Sequence, residues 1–240
     1  MVKIMELGEI ISDALAYPLK NIKALAIYAI LGIILGIVAG SSILAIAFSA
    51  SAKNLLATLG SSILAVIVTL DLGFFITGYQ LDIMKFGIER REDGPGIDFV
   101  RQFLNGVKLF VVNFVYMIIP MIIGIICGMI FQNWLSSVIT FIVTIIFALG
   151  MMMAQCRLAK TEDFGYALNI GEAIKDVTRV GLLKLLLLII LIFIIVFILV
   201  FIVAAIAQWN STIGGILMGI LGVYIVFFVA RATGLLYSDV

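Results

Sequence analysis

The chain has 240 residues, of which 64% are hydrophobic and only 12% are charged, and its formal net charge is +1. Soluble domains carry about 25% charged residues, so this composition excludes an ordinary soluble domain and indicates a membrane protein. The near-neutral charge argues against a nucleic-acid-binding surface.

Charged residues are missing from three long stretches, residues 24–52, 109–156 and 185–230. A helix needs about 20 residues to cross a hydrocarbon core about 30 Å thick, so the last two stretches are too long for one crossing and predict hairpins. We therefore predict an all-α, polytopic membrane protein with six transmembrane helices arranged as three hairpins. The predicted spans are residues 24–48, 55–80, 109–131, 135–156, 183–207 and 212–231.

The basic residues predict the orientation of these spans. Of the 15 Lys and Arg residues, all but Lys53 fall on the same side of the predicted membrane. Because basic residues concentrate on the cytoplasmic side, we predict a multi-pass protein of the cell membrane with both termini in the cytoplasm.

Regular spacing predicts an internal repeat within a single membrane domain, residues 1–240. The interval in sequence from Trp134 to Trp209 equals the interval from Gly96 to Gly171. We predict three pseudo-threefold units, at about residues 4–82, 96–158 and 170–234, each with a short amphipathic helix on the cytoplasmic side before its hairpin. These helices either float at the headgroup level or dock a partner or anionic lipid.

Glycine pairs at GxxxG spacing predict close packing between spans, because the absence of a side chain lets two backbones approach. Intramolecular packing is the simpler interpretation, and oligomer contacts are the alternative. Pro120, in the middle of the third span, predicts a kink, either as a static bend or as a gate. The packing glycines are Gly32, Gly36, Gly40, Gly124, Gly128, Gly215 and Gly219.

One acid, Asp71, lies deep in a predicted span. A charge at that depth is costly, so we expect the side chain to face the bundle interior and to be protonated or partnered. The candidate partners are Asn113, Arg157 and Arg231, which together with Asp71 form a candidate intramembrane polar site. Its role is either structural, through a hydrogen bond between helices, or that of a proton or cation site.

Catalytic and cofactor motifs are absent from the sequence. Without histidine there is no Ser-His or Cys-His pair and no imidazole ligand, and no P-loop or dinucleotide fingerprint occurs. We therefore expect no enzymatic activity, no cofactor and no metal.

Several short runs carry a family resemblance across nearly the whole chain. They are Gly78-Tyr79-Gln80, Gly94-Pro95-Gly96-Ile97-Asp98-Phe99, Phe103-Leu104-Asn105-Gly106-Val107-Lys108, Tyr116, Pro120 and the ending Ala230-Arg231-Ala232-Thr233-Gly234-Leu235-Leu236-Tyr237. In these runs the chain resembles an uncharacterised family of prokaryotic, mainly archaeal, six-span membrane proteins known only as a domain of unknown function. The resemblance implies architecture and location, and no catalytic residues.

Two functions remain open at this stage. The first is a non-enzymatic membrane protein that organises lipid or a partner membrane complex. The second is a small transporter or channel with Asp71 as its proton or cation site. The expected partners are membrane lipids and either another protein or further copies of the chain bound through the glycine faces, with no nucleic acid.

Overall fold

The computed structural model describes residues 5–131 and 134–240, and within these ranges it contains nine helices and no strand. The helices are α1 (Leu7–Lys20), α2 (Ile22–Ser51), α3 (Leu55–Ile88), α4 (Phe99–Ile130), α5 (Trp134–Thr161), α6 (Phe164–Ala167), α7 (Ile170–Val180), α8 (Leu182–Trp209) and α9 (Ser211–Tyr237). The predicted all-α fold is confirmed.

Six of these helices, α2, α3, α4, α5, α8 and α9, are long and apolar enough to cross a membrane, which confirms the predicted number of spans. Several run further than predicted. At about 1.5 Å per residue, the 34 residues of α3 measure about 51 Å, well beyond a hydrocarbon core of about 30 Å. The extra turns carry polar residues beyond the apolar region.

The junctions between short and long helices differ along the chain. Asn21 separates α1 from α2, and Gly181, whose φ is +94°, separates α7 from α8. No such break occurs after residue 99, where α4 begins. The prediction of a separate amphipathic helix before the third span is therefore wrong, because that segment is the first part of α4. Gly106 stays helical there, and the backbone of Phe74 packs directly against it. The predicted first residue of the first unit, residue 4, lies outside the described residues.

The buried core lies at the end of the bundle that holds most of the charged residues. Short helices α1 and α7 pack there against the last turns of α9 and α5. By contrast, most large side chains of α8 are exposed, and only Leu185 and Leu188 are buried in that helix. Exposed aliphatic residues on a membrane span contact lipid tails, so one end of the molecule is a packed protein core and the remainder is largely solvated by lipid.

The glycine predictions have mixed outcomes. Gly32 and Gly219 lie where α2 crosses α9, since a Cβ on Gly32 would stand 2.8 Å from the Gly219 carbonyl oxygen. Gly124 packs on Thr140, and Gly128 makes only ordinary contact with Ser136.

For Gly36 and Gly215 the prediction of close packing is wrong, because no atom of another helix lies within 4 Å of where a Cβ would stand on either residue. The two helices have already diverged at that level. The packing of Gly40 lies outside what the structure describes.

The tightest backbone approach involves Gly78, which sequence analysis did not single out as a packing residue. A methyl group on Gly78 would overlap the backbone carbonyl of Gln102, whereas Gly60 faces open space. We expect Gly78→Ala to lower the free energy of unfolding by about 1–3 kcal/mol, the usual cost of overpacking. Gly60→Ala is the matched control, and thermal unfolding in detergent compares the two variants. Equal stabilities would contradict the α3–α4 packing.

Candidate functional site

Buried polar side chains gather in three clusters at one end of the bundle, which together we call the polar layer. The clusters join α5 to α7, α9 to α1 and α3 to α4. Each centres on an ion pair between the last turns of a long helix and the helical segment that packs on it. In each pair at least one of the two side chains is buried, and a buried charge needs an internal partner.

The first cluster contains the most deeply buried pair. The guanidinium of Arg157 lies 2.8 Å from a carboxylate oxygen of Asp176, and both residues are about 1% exposed. The hydroxyl of Tyr237 and the guanidinium of Arg179 also donate to Asp176, each at 2.6 Å. Arg157 in turn stacks on the ring of Tyr166 and donates to its carbonyl.

Burial opposes ionisation of Asp176, but the hydrogen bonds from Tyr237, Arg157 and Arg179 outweigh it and hold the pKa of this carboxyl below its usual range. Asp176 is therefore an anion at neutral pH.

The second cluster joins the last helix, α9, to the first helix, α1. Arg231 of α9 donates to Asp13 of α1 at 2.7 Å, and it also donates to the backbone carbonyls of Phe86 and Arg91. Its guanidinium lies over the ring of Tyr17, whose pKa burial raises, so that the phenol stays protonated. Both ends of the described chain therefore meet at the same end of the bundle.

In the third cluster the two charges are exchanged. The last turns of α3 supply the acid, whereas the last turns of α5 and α9 supply the bases of the other two clusters. Asp82 of α3 is 4% exposed and accepts hydrogen bonds from Gln102 and Asn105, while Arg101 lies 3.0 Å away. The hydroxyl of Tyr28 donates to Gln102 and ties α2 to this cluster.

The three pairs have regular positions in the sequence. Arg157 follows Asp82 at the same interval in sequence as Trp209 follows Trp134. Asp176 follows Arg101 at that interval too. Arg231 follows Arg157 at an interval only one position shorter.

Each pair joins the end of one predicted unit to the start of another. Arg231, near the end of the third unit, pairs with Asp13 near the start of the first unit. The residues that were not predicted as site residues are Asp82, Arg101, Asp176 and Asp13. The recurring interval in the sequence was a signal that could have found the first three.

The expected interior position of Asp71 is wrong. Its side chain is exposed on α3, and among the residues that the structure describes it has no hydrogen-bond or ion-pair partner. Gly73, two positions along and thus on nearly the opposite side of the helix, lines the spaces between α3 and its neighbouring helices. The reason is that lipid and protein interior are equally apolar, so hydrophobicity does not reveal which side of α3 is buried.

The proposed partners of Asp71 are engaged elsewhere. Asn113 accepts a hydrogen bond from Gln155 at 2.8 Å and lines a cavity of about 150 Å³ between α3 and α4. Arg157 and Arg231 belong to the polar layer. The four residues of the candidate intramembrane polar site therefore do not come together.

Pro120 is buried within α4, which continues through it as one helix. It lines an apolar cavity of about 460 Å³ between α4 and α5, together with Gly124 and Thr140. A larger apolar cleft of about 800 Å³ lies between α2, α3 and α9, and we call it the glycine cleft. Within the described residues, no cluster of three or more acids or cysteines has metal-binding geometry.

Comparison with known proteins places these features in a family. Residues 61–208, more than half of the chain, match the model described as "Protein of unknown function (DUF4013)". The chain belongs to the DUF4013 family. No curated protein and no solved structure matches it significantly. The DUF4013 match contains Asp71 and two of the three polar-layer pairs, whereas Asp13 and Arg231 lie outside it.

Loss of one partner from the buried pair should destabilise the fold strongly. We expect Arg157→Leu to lower the free energy of unfolding by about 3–5 kcal/mol, because Asp176 would lose its buried cationic partner and keep only the half-exposed Arg179. Lys175→Ala, which removes the exposed pair with Glu172, should cost at most about 1 kcal/mol. Denaturation in detergent measures both, and similar small losses would show that the Arg157 pair has no special weight.

The lowered pKa of Asp176 also predicts a dependence on pH. Its stabilisation is fully present above the unfolded pKa of about 3.9, and it is lost as the pH falls through the lower folded value. As the pH falls below about 4, the melting temperature of the wild type should therefore fall more than that of Asp176→Asn, which lacks the titrating group. Parallel pH profiles for the two proteins would contradict this assignment.

Proposed function

We propose that this protein is a non-enzymatic component of the cell membrane that organises a partner membrane complex, and that a transmembrane helix of another protein docks on the lipid-facing side of α3. The observation that carries the proposal is the outward position of Asp71. We also propose that both termini lie in the cytoplasm, because basic residues concentrate on the cytoplasmic side of membranes and surround the polar layer here.

Asp71 is exposed far from both ends of α3, at a depth where a charged side chain in lipid is energetically costly. Measured along the axis of α3, it lies about 16 Å from Asp82 in the polar layer and about 24 Å from Leu55 at the other end of the helix. A charged side chain at such a depth in lipid costs from about 3 kcal/mol to more than about 10 kcal/mol, so an exposed carboxyl favours a partner that covers it.

The chemistry of the partner follows from charge complementarity. Asp71 is the only charged residue between Lys53 and Asp82, and the three long apolar stretches of the chain contain none. A second copy would therefore bring no cation to this face, because the only charged residue that it has at that depth is another Asp71. A Lys, an Arg or another strong donor on a span of a different protein would satisfy Asp71.

Transport through Asp71 has less support. That function needs an aqueous path through the bundle to the carboxyl. Asp71 faces outward, and it lines neither the glycine cleft nor the cavity beside Asn113.

Photocrosslinking in the native host tests the docking face. A photoreactive amino acid replaces Ile67, which is exposed one turn before Asp71. We expect an adduct with one protein that carries a basic or donor side chain in a span. The adduct should disappear in Asp71→Leu and when that partner side chain is replaced by leucine, and it should persist in Asp71→Glu.

The control position is Phe197, which is exposed on α8 and should form lipid adducts only. Three outcomes would each overturn the proposal: no protein adduct at Ile67, an adduct with a second copy of the chain, or an adduct that survives Asp71→Leu.

A further inference from the structure

The glycine cleft is an apolar groove between three membrane-spanning helices. Its walls come from α2 and α9 and its floor from α3, including Gly36, Gly73, Gly215 and Gly222. At none of these four positions does an atom of another helix lie within 4 Å of where a Cβ would stand. The helices therefore leave real space there.

The cleft forms because two helices cross and then separate. At the crossing, the backbones of Gly32 and Gly219 are in close contact. One turn further toward the α8–α9 junction, at Gly36 and Gly215, they have diverged. The groove is therefore narrow at the crossing and widens toward the end of the bundle opposite the polar layer. On the other side of the crossing it continues over α3 to Gly73, Gly222 and Val226.

The lining determines the chemistry of any occupant. Among the residues that line the cleft in the described part of the chain, Thr77 and Thr212 are the only ones with polar side chains. The Thr77 hydroxyl already donates to the Gly73 carbonyl at 2.9 Å. Thr212 lies in the first turn of α9, at the wide end. A hydrocarbon occupant fits this groove, with a polar end near Thr212.

The volume of the cleft distinguishes between two apolar occupants, an acyl chain and a transmembrane helix. The lining along α9 runs from Thr212 to Val226, about 21 Å. A helix of that length and about 10 Å across occupies about 1,600 Å³, twice the cleft volume of about 800 Å³. An acyl chain of about 16 carbons fits, at about 480 Å³ if each carbon takes roughly the 30 Å³ of a liquid water molecule.

We propose that the glycine cleft is a binding site for a lipid acyl chain, which lies along α9 with its headgroup side near Thr212 and its end past the Gly32–Gly219 crossing, toward Val226. The chain is held by close van der Waals contact with backbone on three sides, which contact with bulk lipid does not provide. This site faces a different part of the molecule from Asp71 and does not depend on the docking of a partner protein.

A photoactivatable lipid tests the site directly. The whole protein is reconstituted in phosphatidylcholine vesicles with a trace of phosphatidylcholine that carries a diazirine at the end of one chain. After irradiation, mass spectrometry of peptides locates the label. We expect labelling of cleft peptides from α2 and α9 in excess over α8, which reports ordinary lipid contact.

Filling the cleft should abolish that excess. Gly36→Leu and Gly215→Leu are made separately, so that a folding defect in one leaves the other informative, and Gly60→Leu, on an open surface of α3, is the matched control. Native mass spectrometry of the wild type should also retain lipid that Gly36→Leu loses. Uniform labelling of α8 and the cleft, or excess labelling that survives both substitutions, would overturn the proposal. So would a dimer without bound lipid that Gly36→Leu converts to monomers.

Discussion

The cost of placing charge in hydrocarbon is the constraint on which this structure depends. Most charged residues lie at one end of the bundle, where each charged side chain that is buried away from water has a partner of opposite charge. Arg157 with Asp176, Arg231 with Asp13, and Arg101 with Asp82 are the results. Because each pair joins a long helix to a different segment, the same contacts that satisfy the charges also fix how the segments are arranged.

This concentration of specific contacts explains the shape of the remainder. Within the described residues, the largest buried core surrounds the polar layer, and the spans have fewer mutual contacts beyond it. Lipid tails resemble aliphatic side chains, so no hydrophobic force closes the helices together at the far end. Close backbone approaches, such as Gly32 on Gly219, hold them, and one turn later the helices separate to form the glycine cleft. The bundle is therefore tightly packed at the polar layer, and its helices separate toward the opposite end.

The number of spans was predictable because gaps in the charge pattern reveal spans without any knowledge of packing. The outward direction of Asp71 was not, because α3 is apolar on every side along its span and no periodicity separates its lipid face from its protein face. The partners of Arg157 and Arg231 were also missed, since pairing between distant segments depends on the fold. The interval shared by the tryptophans and glycines carried part of that information, but only once the acids at the same interval were considered with the bases.

The direction in which Asp71 points is the central claim, and spin labelling tests it most directly. Asp71→Cys is prepared with Cys127 and Cys156 replaced by alanine, labelled with a nitroxide and placed in lipid nanodiscs. If the side chain faces lipid, dissolved oxygen will relax the nitroxide strongly and a water-soluble nickel complex will not. Strong relaxation by the nickel complex would reveal an aqueous path and favour transport. Protection from both reagents would place the side chain inside the bundle and contradict the account.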